Sequence, residues 1–116
     1  MEDLTLYPPP KTDRDNRNDQ ASTVEGVKYD ASKPRWDLLP LEATASTVDV
    51  LTHGAVKYAP DNWRKLEDLG DRYYGAALRH ITAYRRGEML DPESGHPHLA
   101  HAVCCLLFIL EDELLP

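Results

Sequence analysis

The densest group of residues able to do chemistry runs from Glu88 to His101 and contains Glu88, Asp91, Glu93, His96, His98 and His101. Glu88, Asp91 and Glu93 are hard oxygen donors close together in sequence, a set suited to Mg²⁺ or Mn²⁺. His98 and His101, spaced i and i+3, share one face of a helix, where they can ligate a softer ion or take a proton from water. Four of the five histidines fall between residues 80 and 101. A second group is Arg79–His80, with His80, Tyr84 and Glu88 at i, i+4 and i+8, aligned along one face if a helix continues that far. Two further groups pair cations with aromatics: Lys28, Tyr29, Lys33, Arg35 and Trp36, and later Lys57, Tyr58, Asn62, Trp63 and Arg64. Lysine and arginine neutralise phosphate, arginine can grip two phosphate oxygens at once, and an aromatic ring can stack on a base. Each group also has a plainer use: a solvated loop anchored by Trp36, helix capping with Tyr58 and Trp63 in the core, a solvated acidic loop, or histidines bonding between helices.

The elements that must position these residues are helices. Pro40 suits a helix start, and Leu41, Thr44 or Ala45, Val48, Leu51 and Ala55 recur at helical spacing up to Lys57–Tyr58. Ala59-Pro60-Asp61-Asn62 breaks that helix. A second helix is expected from Gly70, with Asp71 as N-cap. Its apolar face is Tyr74, Ala77 or Leu78, Ile81 and Tyr84, and Gly87 is its stop. A third starts near Pro97, and its stretch Ala102–Leu110 has almost no polar face, so it is expected to be buried on most sides. Before them, residues 26–40 read as an extended, turn-rich lead-in, because Pro34 and Pro40 bias their preceding residues away from helix. Residues 1–24 carry a triple proline and a mixed-charge run without apolar side chains, and read as a flexible arm. The expectation is an all-α protein: a small bundle of about three main helices over residues 25–116. A third helix so apolar calls for a second copy, hence a homo-oligomer.

Composition narrows the class. The chain has 116 residues and a formal net charge of −7, which speaks against duplex nucleic acid as a partner, since that binding is driven by clustered Lys and Arg. No apolar run approaches the roughly 18 residues of a membrane span, and no signal peptide is visible. The adjacent Cys104 and Cys105 do not suit a disulfide framework and read as core residues of a protein in a reducing cytoplasm. No glycine-rich phosphate loop is present, so an anionic nucleotide would be held by side chains, helix ends and a cation.

Several strings occur in a telling order. They are Lys28-Tyr29-Asp30-x-x-Lys33-Pro34-Arg35-x-Asp37-Leu38-Leu39-Pro40, then Gly54-Ala55-x-Lys57-Tyr58 with Asn62-Trp63, then Arg79-His80, Gly87-Glu88, Asp91-Pro92-Glu93-Ser94-Gly95 and His98-Leu99-Ala100-His101-Ala102. Together, over roughly residues 26–110, they resemble the dATP/dGTP diphosphohydrolase N-terminal domain family of phages and bacteria. That family looks related to the MazG-like all-helical nucleotide pyrophosphohydrolases. The resemblance implies metal-dependent cleavage of dATP or dGTP to the monophosphate and pyrophosphate in a host cytoplasm. On that function, the leading reading of the residues puts Glu88, Asp91 and Glu93 around Mg²⁺ or Mn²⁺, with Lys28, Lys33, Arg35, Lys57 and Arg79 on phosphates. Trp36, Tyr58 or Trp63 would stack on the base, with Tyr29 and Asn62 beside it, and His80, Glu88, His98 and His101 would do the proton chemistry. One departure is visible: Glu88-Met89-Leu90-Asp91 has the Glu-x-x-Asp spacing of MazG-like enzymes, but His98 and His101 stand where an acidic pair would be expected. The alternative is a phage protein that binds a nucleotide, such as a host immune signal, without cleaving it. A helical adaptor for a host protein is a third possibility.

Overall fold

The structure is a computed structural model that describes residues 26–29 and 31–115. The expected arm over residues 1–24 lies outside the described residues, as does Asp30. The chain divides into two units, Met1–Arg35 and Trp36–Pro116. In the first, the described residues have no helix or strand, and Lys28, Tyr29, Lys33 and Arg35 are exposed. The second holds all three α-helices of the described residues: α1 (Leu41–Lys57), α2 (Leu69–Arg85) and α3 (His98–Leu114). Short 3-10 turns occupy Trp36–Leu38 and Asn62–Lys65. The described residues contain no strand, and their one isolated bridge pairs Leu90 with Pro97. The all-α bundle expected from the sequence is thus the fold of this chain.

Local chemistry explains most of the helix limits. Pro40 lacks an N–H but its carbonyl accepts from the Thr44 N–H (3.1 Å) and Thr44 Oγ1 (2.7 Å), so it precedes α1 without an orphaned donor. The helix α2 begins earlier than its sequence suggests. Asp68, at φ 55, is the N-cap, and the expected cap Asp71 lies inside the first turn, where a carboxylate still suits the helix dipole. Its end is a Schellman motif. Gly87 (φ 103) donates to the Tyr84 carbonyl and Glu88 to the Ala83 carbonyl, both at 3.0 Å. Because the chain turns at Gly87, Glu88 does not continue the His80–Tyr84 row on a helix, as the i, i+4, i+8 spacing suggested. Trp36–Leu38 is wound into a turn rather than extended, and Trp36 is 80% exposed, so it does not anchor the lead-in to a core.

The core is made of small residues. Helix α3 packs against both α1 and α2, more extensively with α2. Val50, Ala100 and Cys104 form its centre, with Leu51 and Phe108 against them, and Ala77, Ala102 and Cys105 are also buried. Burial pushes the Cys104 thiol up to about 12 and the Cys105 thiol to about 11. Within a single chain much apolar helix surface stays open. Of the apolar face of α2, Ala77 is buried while Tyr74, Leu78, Ile81 and Tyr84 are exposed, and α3 exposes Leu99, Val103, Leu106, Leu107 and Leu110. Inside the bundle, α2 instead presents Ala77 and the half-buried Tyr73 and His80. Periodicity finds an apolar stripe, but it does not say whether the same chain covers it.

Candidate functional site

All five histidines of the chain converge on one end of the bundle. His53 comes from α1, His80 from α2, His96 from the α2–α3 loop, and His98 and His101 from the first turn of α3. Their rings form a continuous row, with centroids 5.7 Å apart for His53–His96, 6.4 Å for His96–His101, 4.5 Å for the stacked His101–His80 pair and 5.1 Å for His80–His98.

The α2–α3 loop is tied at several points, which fixes Asp91 in this row. Asp91 N–H donates to the His96 carbonyl (2.8 Å), Gly95 N–H to the Asp91 carbonyl (2.7 Å) and His98 N–H to the Met89 carbonyl (2.9 Å). Asp91 Oδ1 accepts from the Glu93 N–H at 2.9 Å, an Asx turn. Ser94 Oγ accepts from the His96 N–H (3.1 Å) and shares a 2.7 Å hydrogen bond with His101 Nε2. Asp91 Oδ2 stands 3.5 Å from that same Nε2. A Ser–His–Asp relay needs the acid on the opposite ring nitrogen, so Ser94 is a support for His101 rather than a nucleophile.

His98 is 5% exposed, yet both its nitrogens are partnered. Nε2 meets Glu88 Oε1 at 2.7 Å and Nδ1 meets His80 Nδ1 at 2.9 Å. One donor atom each from His80, Asp91 and His98 lies within 4.8 Å of the others. The pKa of His80 is lowered, first by burial and then by its neighbour His98. That of His101 is lowered by burial and by His80. Burial pushes the Asp91 carboxyl up, but the Glu93 N–H and the rings of His101, His80 and His98 together outweigh it and hold the group below its ordinary value. The result is an ionised carboxylate beside two imidazoles, His80 and His101, that favour their neutral, lone-pair-bearing form.

Beside this row opens a cleft of ≈ 840 Å³, within the size range of small-molecule sites. His53, His80, Asp91, Glu93, Ser94 and His101 line one part, and Lys57, Tyr58, Asn62, Trp63 and Arg79 line the rest. Three of the four groups singled out in the sequence therefore meet in one concavity. Trp36 is not among its lining residues, and Lys28, Tyr29, Lys33 and Arg35 belong to the first unit, where they are exposed. Lys57 Nζ lies 3.5 Å from Glu93 Oε2 and 5.1 Å from the centre of the Tyr58 ring. Its pKa is raised, by Tyr58 first and then by Glu93. Trp63 stacks on Phe108 (4.6 Å) and carries the Arg64 guanidinium at 4.4 Å, so its ring surface is used within the protein. Tyr58, with Lys57 over its ring, is the more exposed of the two at 64%.

The expected carboxylate trio is not gathered around one point. Glu88 is engaged with His98, and Glu93, its side chain 75% exposed, faces Lys57. Only Asp91 joins the two histidines. Sequence reasoning did not single out His53 or Ser94 as site residues, and it placed His96 in the chemical group without giving it a role. His96 carried a signal, as a third histidine beside His98 and His101; His53, alone on α1, carried none.

Comparison with known proteins follows the same direction. Residues 23–115 match the family described as dATP/dGTP diphosphohydrolase, N-terminal. A curated relative, the dATP/dGTP diphosphohydrolase of Salmonella phage PMBT28, is 33% identical over 86 residues, which cover 74% of this chain and 29% of the relative. The chain thus spans less than a third of that protein's length. No solved structure matches. With nearly all of its described residues inside the match, the chain belongs to the dATP/dGTP diphosphohydrolase N-terminal family.

Proposed function

We propose that the cleft binds a purine deoxynucleoside triphosphate, dATP or dGTP, and that the protein cleaves it to the monophosphate and pyrophosphate. The observation that carries this reading is the single cleft shared by a basic–aromatic end and a histidine–aspartate end. Tyr58 offers its exposed ring to the base, and Asn62 stands beside it with an amide able to meet a base edge. Lys57 and Arg79 neutralise the phosphates on their way to the histidine row. Glu93 occupies Lys57 until a phosphate competes for it. His101, held by Ser94 and disfavoured from protonating by burial, is placed to accept a proton from water at neutral pH. The water oxygen bonds to phosphorus, the α–β bridging bond breaks, and pyrophosphate leaves. A divalent cation would draw charge from the phosphate oxygens and make the leaving group a weaker base. Purified protein incubated with dATP or dGTP and Mg²⁺ or Mn²⁺ should release the deoxynucleoside monophosphate and pyrophosphate, read by chromatography. Triphosphate left intact with both cations would overturn the proposal.

The active form in this proposal is a homo-oligomer. Leu99, Val103, Leu106 and Leu110 follow one another at four- and three-residue steps along α3, and each is between 44% and 52% exposed. Tyr74, Leu78 and Ile81 do the same along α2. Helical apolar stripes of this spacing match the seam by which helices of two chains pack, and a second copy of this chain would cover them.

A further inference from the structure

We infer that His80, Asp91 and His98 form a binding site for a divalent transition metal, with Glu88 setting the ring of His98. This replaces the all-oxygen site of Glu88, Asp91 and Glu93 that the sequence suggested. The inference deepens the hydrolysis proposal and rests on it only for what the ion does; ion binding itself stands apart.

The argument begins with the tautomer of His98. A neutral imidazole has one N–H and one lone pair. Glu88 Oε1, a carboxylate oxygen 2.7 Å from Nε2, takes the N–H there and leaves the lone pair on Nδ1. That lone pair accepts the Nδ1–H of His80, 2.9 Å away, so an ion taken up here would displace that proton, with His80 carrying its N–H on Nε2 instead. With bonds of about 2.1 Å, two ligand atoms stand roughly 3.0 Å apart at the right angle of an octahedral ion and roughly 3.4 Å apart around a tetrahedral one, so the observed spacing is close to that of a shared octahedral ion. A carboxylate behind a ligating histidine is the usual device for fixing the metal-facing nitrogen.

Asp91 supplies the third ligand. Its Oδ1 is held by the Glu93 N–H, its side chain is 15% exposed, and the loop that carries it is tied to His96 and to the start of α3. The three donor atoms lie within 4.8 Å of one another, so a small closing movement completes the set. Because His80 and Asp91 also line the cleft, the ion would face the space where phosphate oxygens arrive.

The donor types decide the metal. Mg²⁺ prefers oxygen ligands and keeps much of its water. Two imidazole nitrogens and one carboxylate instead suit Mn²⁺, Fe²⁺, Co²⁺, Ni²⁺ or Zn²⁺. Glu93 is turned to Lys57 and does not enlarge the oxygen set.

The test uses the full chain, stripped with a chelator and free of nucleotide, titrated with MnCl₂ while electron paramagnetic resonance follows free Mn²⁺. One ion per chain is expected, with ¹⁴N modulation from imidazole in the pulsed spectrum and no displacement by an equal concentration of Mg²⁺. His80→Ala and His98→Ala should weaken binding at least about 100-fold, and Glu88→Gln about 10- to 100-fold, as is usual for loss of a ligand's partner. Glu93→Gln should leave it unchanged. Absence of binding, absence of ¹⁴N modulation, equal competition by Mg²⁺, or equal loss in Glu93→Gln would each overturn the inference. The ¹⁴N signal is read on the unaltered protein, so the test survives a variant that fails to fold. Mn²⁺ bound without turnover of dATP or dGTP would overturn the hydrolysis proposal and leave the metal site standing.

Discussion

Gly87 is the hinge on which the site's loop turns, and replacing it should cost stability through the backbone alone. Its φ of 103 lies in a region L-residues rarely adopt. A Cβ added there meets nothing within 4 Å, so Gly87→Ala introduces no clash. A left-handed conformation costs an L-residue about 1–2 kcal/mol, and this φ lies well past the left-handed centre near +57°. The alanine also narrows the unfolded ensemble, which returns about 0.4–1 kcal/mol. The net loss expected is about 1 kcal/mol, or a fall in Tm of about 4–8 °C for a domain of this size. Asn tolerates left-handed backbone better, so Gly87→Asn should fall between glycine and alanine. Gly54→Ala is the control: Gly54 lies within α1 and its Cβ would also meet nothing within 4 Å. Alanine there should stabilise by about 0.5–1 kcal/mol. Urea unfolding followed by circular dichroism measures all three. If both alanine variants shift stability the same way, backbone strain at Gly87 is not what ends α2.

The two thiols give a pH test. With Cys104 pushed up to about 12 and Cys105 to about 11, native protein at pH 8 should react slowly with a disulfide reagent and rapidly in urea; full reaction of both thiols in the native state would contradict their burial. Because these folded values lie above the ordinary 9.0, their contribution to stability is present below pH 9 and lost as pH rises through about 11–12, visible as a falling urea midpoint. Arg79→Gln should raise KM for dATP or dGTP about 10- to 100-fold, the worth of a hydrogen bond to a charged group. An unchanged KM would remove Arg79 from the phosphate path. Leu106→Glu, on the exposed stripe of α3, should convert an oligomer to monomer in sedimentation without loss of helix content; a monomeric parent protein would refute the assembly proposal.

Much of the fold was legible because its signals are local. Pro40, the Ala59–Asn62 breaker, Gly87 and Pro97 bound the helices within a few residues of where they fall. The start of α2 was misplaced because Asp68, not Asp71, takes the left-handed turn before the helix, and two nearby aspartates look alike in sequence. The site was half legible. His98 and His101 declare themselves by i, i+3 spacing. The partnership of Glu88 with His98 depends on the chain reversing at Gly87, which brings together residues ten apart. His53 reaches the row only because α1 packs on α3, a tertiary fact without a local signal.

The outward leucines and the inward histidines have a single origin. Helix α2 turns toward α3 the face that carries His80, not the one that carries Leu78 and Ile81. For a lone chain this arrangement is unfavourable twice over. Imidazoles lose hydration on burial, and apolar side chains forfeit about 25 cal/mol for each Å² left in water. Hydrogen bonds to Glu88, Ser94 and between the rings offset the first only in part, and the second is not offset within the described helices, whose buried centre is Val50, Ala100 and Cys104. An ion held by His80, Asp91 and His98 would offset the rest of the first, and a second copy laid over the α2 and α3 stripes would offset the second. A rotation of α2 by roughly half a turn would bury Leu78 and Ile81 but carry His80 away from His98 and His101. The orientation of one helix therefore ties the proposed chemistry to the proposed assembly.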